Sequence, residues 1–158
     1  MGTALWRIAT DTRDWEADDL VGKGAEVSGG RWNRPGRPAV YAATSIALAC
    51  LETVVHLNTA DLPLNRFLVH IDVPDAVWAA RITLAPAELP IGWSAIPEGR
   101  VSLDAGDAWL AAGASCLLCV PSVIVEEESN VLLNPLHPDA VRVTATKLRP
   151  WFYDGRLA

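Results

Sequence analysis

The stretch RFLVHIDV, residues 66–73, is the most constraining pattern in the chain. Its odd-numbered positions from 67 to 73 are apolar, whereas His70 and Asp72 at the alternate positions are polar. Because successive side chains of a strand point to opposite faces of a sheet, this alternation predicts a β-strand with one apolar face.

The order of the other predicted elements favours an α+β fold. Strands are predicted at residues 3–9, 39–43, 76–84, 115–125 with a break at Pro121, 130–135, 140–146 and 150–155. Helices are predicted at 44–58, capped by Thr44 or Ser45, and at 103–113, with a helical turn within 11–20. Residues 22–33 and 85–101 are expected to be irregular. Because strands and helices do not alternate, we expect one compact domain over residues 1–158, with small mixed or antiparallel sheets flanked by helices.

Composition excludes several functional classes. The 158 residues carry 13 Lys and Arg against 19 Asp and Glu, a formal net charge of −6, which argues against broad electrostatic binding to nucleic acid. No apolar run approaches the ~18 residues that a membrane span needs. The N-terminal residues do not resemble a signal peptide, so we expect a cytoplasmic protein.

No metal or nucleotide motif is found. The sequence has no HExxH, no Walker A loop and no GxGxxG fingerprint, and its three histidines are isolated. Cys116 and Cys119 have CxxC spacing, but they lie in an apolar run and are predicted to be buried rather than to bind metal or form a disulfide.

The segment SGGRWNRPGRP, residues 28–38, gathers three arginines behind two glycines. One interpretation is an anion site, in which Gly29 and Gly30 let backbone N–H groups converge, Arg31 adds a charged fork and Trp32 offers a stacking face. The alternative is a turn or bulge with a surface arginine.

Three other residues also allow two interpretations. Tyr41 lies in a short strand, with its hydroxyl either bonded within the core or directed into a cleft. Glu52 belongs either to a solvated helical stripe with Thr53 and His56 or to the edge of a pocket. Ser122, in a very apolar stretch, either bonds the backbone at a bulge or lines a cavity.

These stretches together resemble the RES family, the toxin half of RES–Xre bacterial toxin–antitoxin systems. The matching segments are WR at 6–7, GGRWN at 29–33, YAATS at 41–45 leading to ALACLE at 47–52, and VPSVIVEEESNVLLNP at 120–135, followed by HPD at 137–139. They occur in family order over almost the entire chain.

The resemblance implies a fold similar to ADP-ribosyltransferases of the diphtheria-toxin type and a cleft that binds NAD+ as substrate, with no further cofactor. It assigns the family's Arg, Glu and Ser to Arg31, Glu52 and Ser122, and adds Tyr41 and Arg7. Glu52 would stabilise the ribosyl cation, Ser122 would bond the substrate or orient Glu52, and Tyr41 would stack on nicotinamide or ribose.

The remaining assignments concern the anionic part of the substrate. Arg31, Arg7 and the Gly30 backbone would hold the diphosphate. Arg34 and Arg37 would serve the rim or an acidic partner surface, and nothing functional transfers to residues 85–110.

The activity and partners implied by the resemblance are therefore also expectations. The family cleaves the nicotinamide–ribose bond of NAD+ by hydrolysis or phosphorolysis, or transfers ADP-ribose to a protein. A non-catalytic module that binds NAD+ or ADP-ribose is the alternative from another class. The expected partners are an Xre-type helix-turn-helix antitoxin and a second copy of the chain, with no nucleic acid and no membrane.

Overall fold

The computed structural model describes residues 2–57 and 63–157, and its strands form one mixed seven-stranded sheet. The strands are β1 Gly2–Thr10, β2 Val40–Ala43, β3 Arg66–Pro74, β4 Ile82–Thr83, β5 Leu117–Pro121, β6 Ser129–Leu133 and β7 Thr144–Pro150. The helices are α1 Lys23–Ser28, α2 Ile46–Val54, α3 Asp75–Ala79 and α4 Arg100–Ala112, with short 3-10 turns at Pro86–Glu88, Pro138–Arg142 and Gly155–Leu157.

The spatial order of the strands is β4-β5-β6-β2-β1-β3-β7. Only the β4–β5 pair is parallel among these strands, and the other neighbours are antiparallel. The α+β class with a mixed sheet flanked by helices is confirmed.

The sheet is nearly split between β1 and β2. β1 pairs with β3 along its whole length, from Gly2 opposite Pro74 to Thr10 opposite Arg66. In contrast, β1 meets β2 in a single register pair, Trp6 with Ala43. A four-stranded half and a three-stranded half therefore diverge beyond Trp6, and the edge of β1 from Arg7 to Thr10 borders an opening.

Two helices cover one face of the sheet on either side of this split. Leu48 and Ala49 of α2 pack with Ile8 and Leu68, whereas Trp109 of α4 packs in a second cluster against β5 and β6. α2 and α4 therefore cover different halves of the same face.

The alternation that predicted β3 is confirmed. Val69, Ile71 and Val73 are buried in the main core cluster, and Asp72 on the other face is exposed. His70 packs its ring against Trp6, with ring centroids 4.9 Å apart. Burial of this apolar face is what holds β3 at the centre of the three-stranded half.

Several predicted elements are wrong. Residues 22–33 were expected to be irregular but contain α1, and residues 76–84 form most of α3 and a two-residue β4 instead of one strand. Residues 11–20 contain no helix, and β7 ends at Pro150, so that residues 151–154 are not a strand. The helix predicted to residue 58 ends at Val54, and residue 58 lies outside the described residues.

The described helices include none that is long and apolar enough to cross a lipid bilayer.

Candidate active site

A cleft lined by residues of α1 and α2 and by the edge of β1 encloses about 1050 Å³ and contains five of the six predicted site residues. These five are Arg7, Gly30, Arg31, Tyr41 and Glu52. The volume is at the upper end of the range for small-molecule sites, so the cleft is large enough for an extended ligand. The sixth residue, Ser122, is completely buried behind the wall of the cleft.

Glu52 reaches the cleft because α2 buries its other side. The hydroxyl of Ser45 caps the helix by accepting the N–H of Leu48 at 3.1 Å, and Leu48 and Ala49 face the sheet. Glu52, one turn later, is half-buried. Glu52 therefore lies at the edge of a pocket, and the half-buried Thr53 and the exposed His56 line the same cleft.

Two side chains hold one oxygen of this carboxylate. Oε1 of Glu52 accepts hydrogen bonds from Ser122 Oγ at 2.6 Å and from Asn130 Nδ2 at 2.7 Å. Oε2 accepts none from the part of the chain that the structure describes. The carboxylate is thus oriented by Oε1 and has Oε2 available to a ligand.

Ser122 is itself fixed by the turn that follows β5. Its Oγ accepts the N–H groups of Ile124 and Val125 at 3.0 and 3.1 Å while donating to Glu52. Of the two sequence interpretations, the bond to the local backbone is the one formed, since Ser122 does not line the cleft and acts on it only through Glu52. Because it is fully buried, Ser122 orients Glu52 and does not face a ligand directly.

The C-terminal segment secures the end of α2. The hydroxyl of Tyr153 donates to Thr53 Oγ1 at 2.7 Å. The hydroxyl of Thr53 donates in turn to the carbonyl of Cys50 at 2.9 Å. The last turn of α2, which carries Glu52, is therefore tied to residues about a hundred positions away.

The Gly29–Gly30 backbone does not form the predicted anion site. The N–H of Gly29, at φ +72°, closes α1 by donating to Ala25, and the N–H of Gly30 donates to the carbonyl of Asn33. Neither group is free for an anion. Gly30 is required for another reason, because a Cβ there would lie 2.6 Å from the hydroxyl of Tyr41.

Tyr41 uses its hydroxyl to hold this turn together. The hydroxyl donates to Oδ1 of Asn33 and accepts the N–H of Trp32 at 3.1 Å. Burial raises the pKa of the phenol, so it stays neutral. The hydroxyl is thus satisfied within the core, whereas the residue lines the cleft.

Arg31 is oriented by a segment to which the resemblance assigned no function. Its Nη1 donates to the carbonyls of Trp93 at 3.3 Å and Ala95 at 2.8 Å. Ile96, Pro97 and Glu98, which follow, form part of the cleft wall. Within the described residues, Nε and Nη2 of Arg31 make no hydrogen bond and remain available to an anion.

Two predictions for the arginine-rich segment are wrong. Trp32 is only 2% exposed and packs on Trp93, with ring centroids 6.4 Å apart, so its face is not free to stack on a ligand. Arg34 is bound within the protein, by Asp107 and Asp104 at 2.7 Å each, so it does not serve a partner surface. The two ion pairs of Arg34 fasten the arginine-rich segment to α4.

Arg7 lies in the split of the sheet with few partners of its own. Its Nη1 donates to the carbonyl of Tyr41 at 3.4 Å, and its buried Nε has no partner. Burial lowers the pKa of Arg7 to about 10, with the Asp19 carboxylate partly opposing the shift. A poorly compensated cation in a cleft favours an anionic ligand.

Sequence reasoning missed two asparagines. Asn130 starts an apolar strand and holds Glu52, and Asn33 is fully buried and binds the carbonyls of Ala25, Arg34 and Arg37. Both lie inside quoted motifs, GGRWN and the block 120–135. An amide inside an otherwise apolar strand or a tight turn was the available signal.

The chain is similar to known proteins over most of its length. The family model of the RES domain matches residues 4–154. The chain is 58% identical over 157 residues to a protein of Sphingobium sp. (strain YBL2) called "Prs ADP-ribosylating toxin", covering 99% of this chain and 98% of that protein. It is 43% identical over 138 residues to "Toxin Res" of Pseudomonas putida, covering 86% and 87%.

A solved structure shares the fold. A chain of the M. tuberculosis MbcT–MbcA toxin–antitoxin complex superimposes with a TM-score of 0.67 at 19% identity, covering 95% of this chain and 86% of that one. At this identity the similarity establishes the fold and nothing more.

Proposed function

Since the chain belongs to the RES domain family, we propose that it is the toxin of a toxin–antitoxin pair and that it cleaves the nicotinamide–ribose bond of NAD+. The observation that carries the proposal is the Glu52 carboxylate, oriented through Oε1 by Ser122 and Asn130 and placed in a cleft with Arg7 and Arg31. Relatives named as toxins support the biological role.

The residues suit this chemistry. Breaking the N-glycosidic bond develops positive charge on the ribose, and a carboxylate held in place stabilises that charge without reorganising. Oε2 of Glu52 would face the ribose. Nicotinamide departs as a neutral molecule, so the site needs no strong general acid.

The arginines suit the diphosphate. Arg31 has Nε and Nη2 free while its Nη1 is held by Trp93 and Ala95, which leaves a pre-oriented pair of donors. Arg7 supplies a second cation from the floor of the split. Tyr41 would contact nicotinamide or ribose with its ring, since its hydroxyl is engaged by Asn33.

The acceptor of ADP-ribose is water, phosphate or a protein side chain. The relative called "Prs ADP-ribosylating toxin" specifically favours protein modification as the second candidate. The proposal further includes NAD+ as substrate with no cofactor, a cytoplasmic location, an Xre-type antitoxin and a homodimer.

The test is nicotinamide release from NAD+ by the wild type, Glu52→Gln and the matched control Glu127→Gln, whose carboxylate is exposed. We expect release by the wild type and control and a loss of roughly 100-fold or more in Glu52→Gln. Equal background rates for all three, together with tight NAD+ binding by calorimetry, would establish the non-catalytic binding module instead. Chromatography of the products with and without phosphate, and transfer of labelled ADP-ribose to protein, identifies the acceptor.

A further inference from the structure

Arg66, the first residue of β3, carries a guanidinium that the described protein leaves without a partner. Its Nε is buried and donates no hydrogen bond, and no described carboxylate comes within 4.0 Å of its nitrogens. Several other arginines are compensated: Arg34 and Arg156 form ion pairs, and Arg81 lies over the ring of Trp78. Among the described arginines, a buried and unpartnered Nε occurs at Arg7 and Arg66.

Arg66 lines the same cleft as the proposed site, on the face that α2 covers. It lies opposite Thr10 in the β1–β3 ladder, and Leu68 lies opposite Ile8. Since directly opposed residues share a face, and Ile8 and Leu68 pack with α2, Arg66 projects toward the helix that carries Glu52.

The other two arginines of the cleft lie elsewhere. Arg7 is three residues from Thr10, about 10 Å along β1, and belongs to the alternate set of side chains of that strand. Arg31 is bound to the Trp93–Ala95 segment, on the α4 side of the split. A single phosphate held by Arg7 and Arg31 would therefore leave Arg66 uncompensated.

We propose that Arg66 holds a phosphate group in a second anion subsite, at the α2 end of the cleft. The inference rests on the proposed function only in assigning the NAD+ diphosphate to Arg31 and Arg7. A guanidinium matches two phosphate oxygens at once, and an anion there would give the buried, unpartnered Nε of Arg66 an acceptor. Thr10, opposite Arg66 in the ladder, and His56 line the same cleft and offer donors for the remaining oxygens.

The phosphate belongs either to free orthophosphate or to a phosphate monoester on a larger molecule. Both sources present the same dianionic oxygens to Arg66. An acceptor of ADP-ribose that carries a phosphate group would bring these oxygens into the cleft that contains Glu52. Binding of ligands of different size distinguishes the two sources, because a monoester needs more room in the subsite than orthophosphate does.

The test is a titration of orthophosphate into the ¹⁵N-labelled chain without NAD+, in which the changes of the amide chemical shifts are measured by NMR. We expect shifts at Thr10 and His56 in the wild type and in the control Arg37→Gln, whose side chain is exposed and outside the cleft. Arg66→Gln should weaken phosphate binding roughly tenfold or more, because a charge-assisted contact is lost. O-phosphoserine in place of orthophosphate shows whether a monoester is admitted.

NAD+ affinity provides the discriminating comparison. Arg66→Gln should bind NAD+ about as well as the wild type, whereas Arg31→Gln should bind it much more weakly. If Arg66→Gln instead loses NAD+ affinity as Arg31→Gln does, with phosphate binding unchanged, Arg66 belongs to the dinucleotide site and the proposal is overturned.

Two further outcomes are decisive. Wild-type shifts confined to residues 29–32, or none at all, overturn the subsite even if Arg66→Gln fails to fold. Arg66→Lys, which keeps the charge but lacks the planar fork, should bind phosphate with intermediate affinity. Because these titrations contain no NAD+, a chain that binds phosphate at Arg66 but releases no nicotinamide contradicts the proposed function alone.

Discussion

The hydroxyl of Ser122 donates a 2.6 Å hydrogen bond to Oε1 of Glu52, although the two residues are 70 positions apart in the chain. The bond joins the turn after β5 to α2 behind the wall of the cleft. It makes Ser122 a positioning residue, because its buried oxygen acts on a ligand only through the carboxylate.

We expect Ser122→Ala to lower both stability and activity. The substitution removes a bond to Glu52 and leaves the N–H groups of Ile124 and Val125 without their acceptor, which should cost about 1–3 kcal/mol. Urea unfolding measures the loss, and nicotinamide release should show a fall in kcat with KM for NAD+ little changed. The exposed Ser94→Ala is the control; a change in KM alone would indicate that Ser122 contacts substrate.

Arg7→Met should separate stability from binding. Arg7 is a buried cation with one long hydrogen bond and an unpartnered Nε, so an apolar side chain of similar length should leave the free energy of unfolding unchanged or raise it by about 1 kcal/mol. NAD+ affinity should fall at the same time. Denaturant unfolding and calorimetry test this; a clear loss of stability relative to Arg37→Met would show that Arg7 is structural.

Gly106→Ala should destabilise the protein although it replaces glycine within a helix. A Cβ at residue 106 would lie 1.7 Å from the carbonyl oxygen of Trp32, so α4 would have to move away from the segment that carries Arg31. We expect a loss of at least about 2 kcal/mol by thermal or urea unfolding.

The matched control for this substitution is Gly24→Ala in α1. The nearest atom to a Cβ there is 3.7 Å away, in the ring of Trp15. The helix preference for alanine should therefore make Gly24→Ala neutral or stabilising by up to about 1 kcal/mol. Similar losses in both variants would contradict the steric argument.

Stability should fall in alkaline solution because of Cys116. Burial raises the pKa of this thiol from 9.0 to about 11, so between these pH values the unfolded chain releases a proton that the folded chain keeps. The free energy of unfolding is therefore intact below pH 9 and falls by about 2–3 kcal/mol as pH rises toward 11.

Urea unfolding of the wild type and Cys116→Ala between pH 8 and 10.5 checks this contribution. Plotted against pH, the free energies of unfolding of the two proteins should run parallel near pH 8. They should converge as pH rises, because the variant lacks the thiol. Parallel curves over the whole range would show that Cys116 does not carry the alkaline loss.

Local patterns predicted the elements that depend on local physics. The alternation in residues 66–73 specified β3, and Ser45 before an apolar run specified the start of α2. Residues 76–84 were misassigned because β-branched and aromatic residues follow Pro74, which in fact is the N-cap of α3. The aromatic residues 151–153 suggested a strand, but Trp151 and Tyr153 pack in the α2 cluster.

The sequence by itself determined the family and the α+β class, because motifs and periodicity are properties of nearby residues, and the family motifs made Arg31, Glu52 and Ser122 the candidate site residues. Only the tertiary structure decided that Ser122 stands behind Glu52, that Asn130 shares its oxygen and that Arg31 is oriented by Trp93 and Ala95. These contacts join segments more than 60 positions apart. Such contacts depend on how the split sheet is packed, and no local pattern encodes that packing.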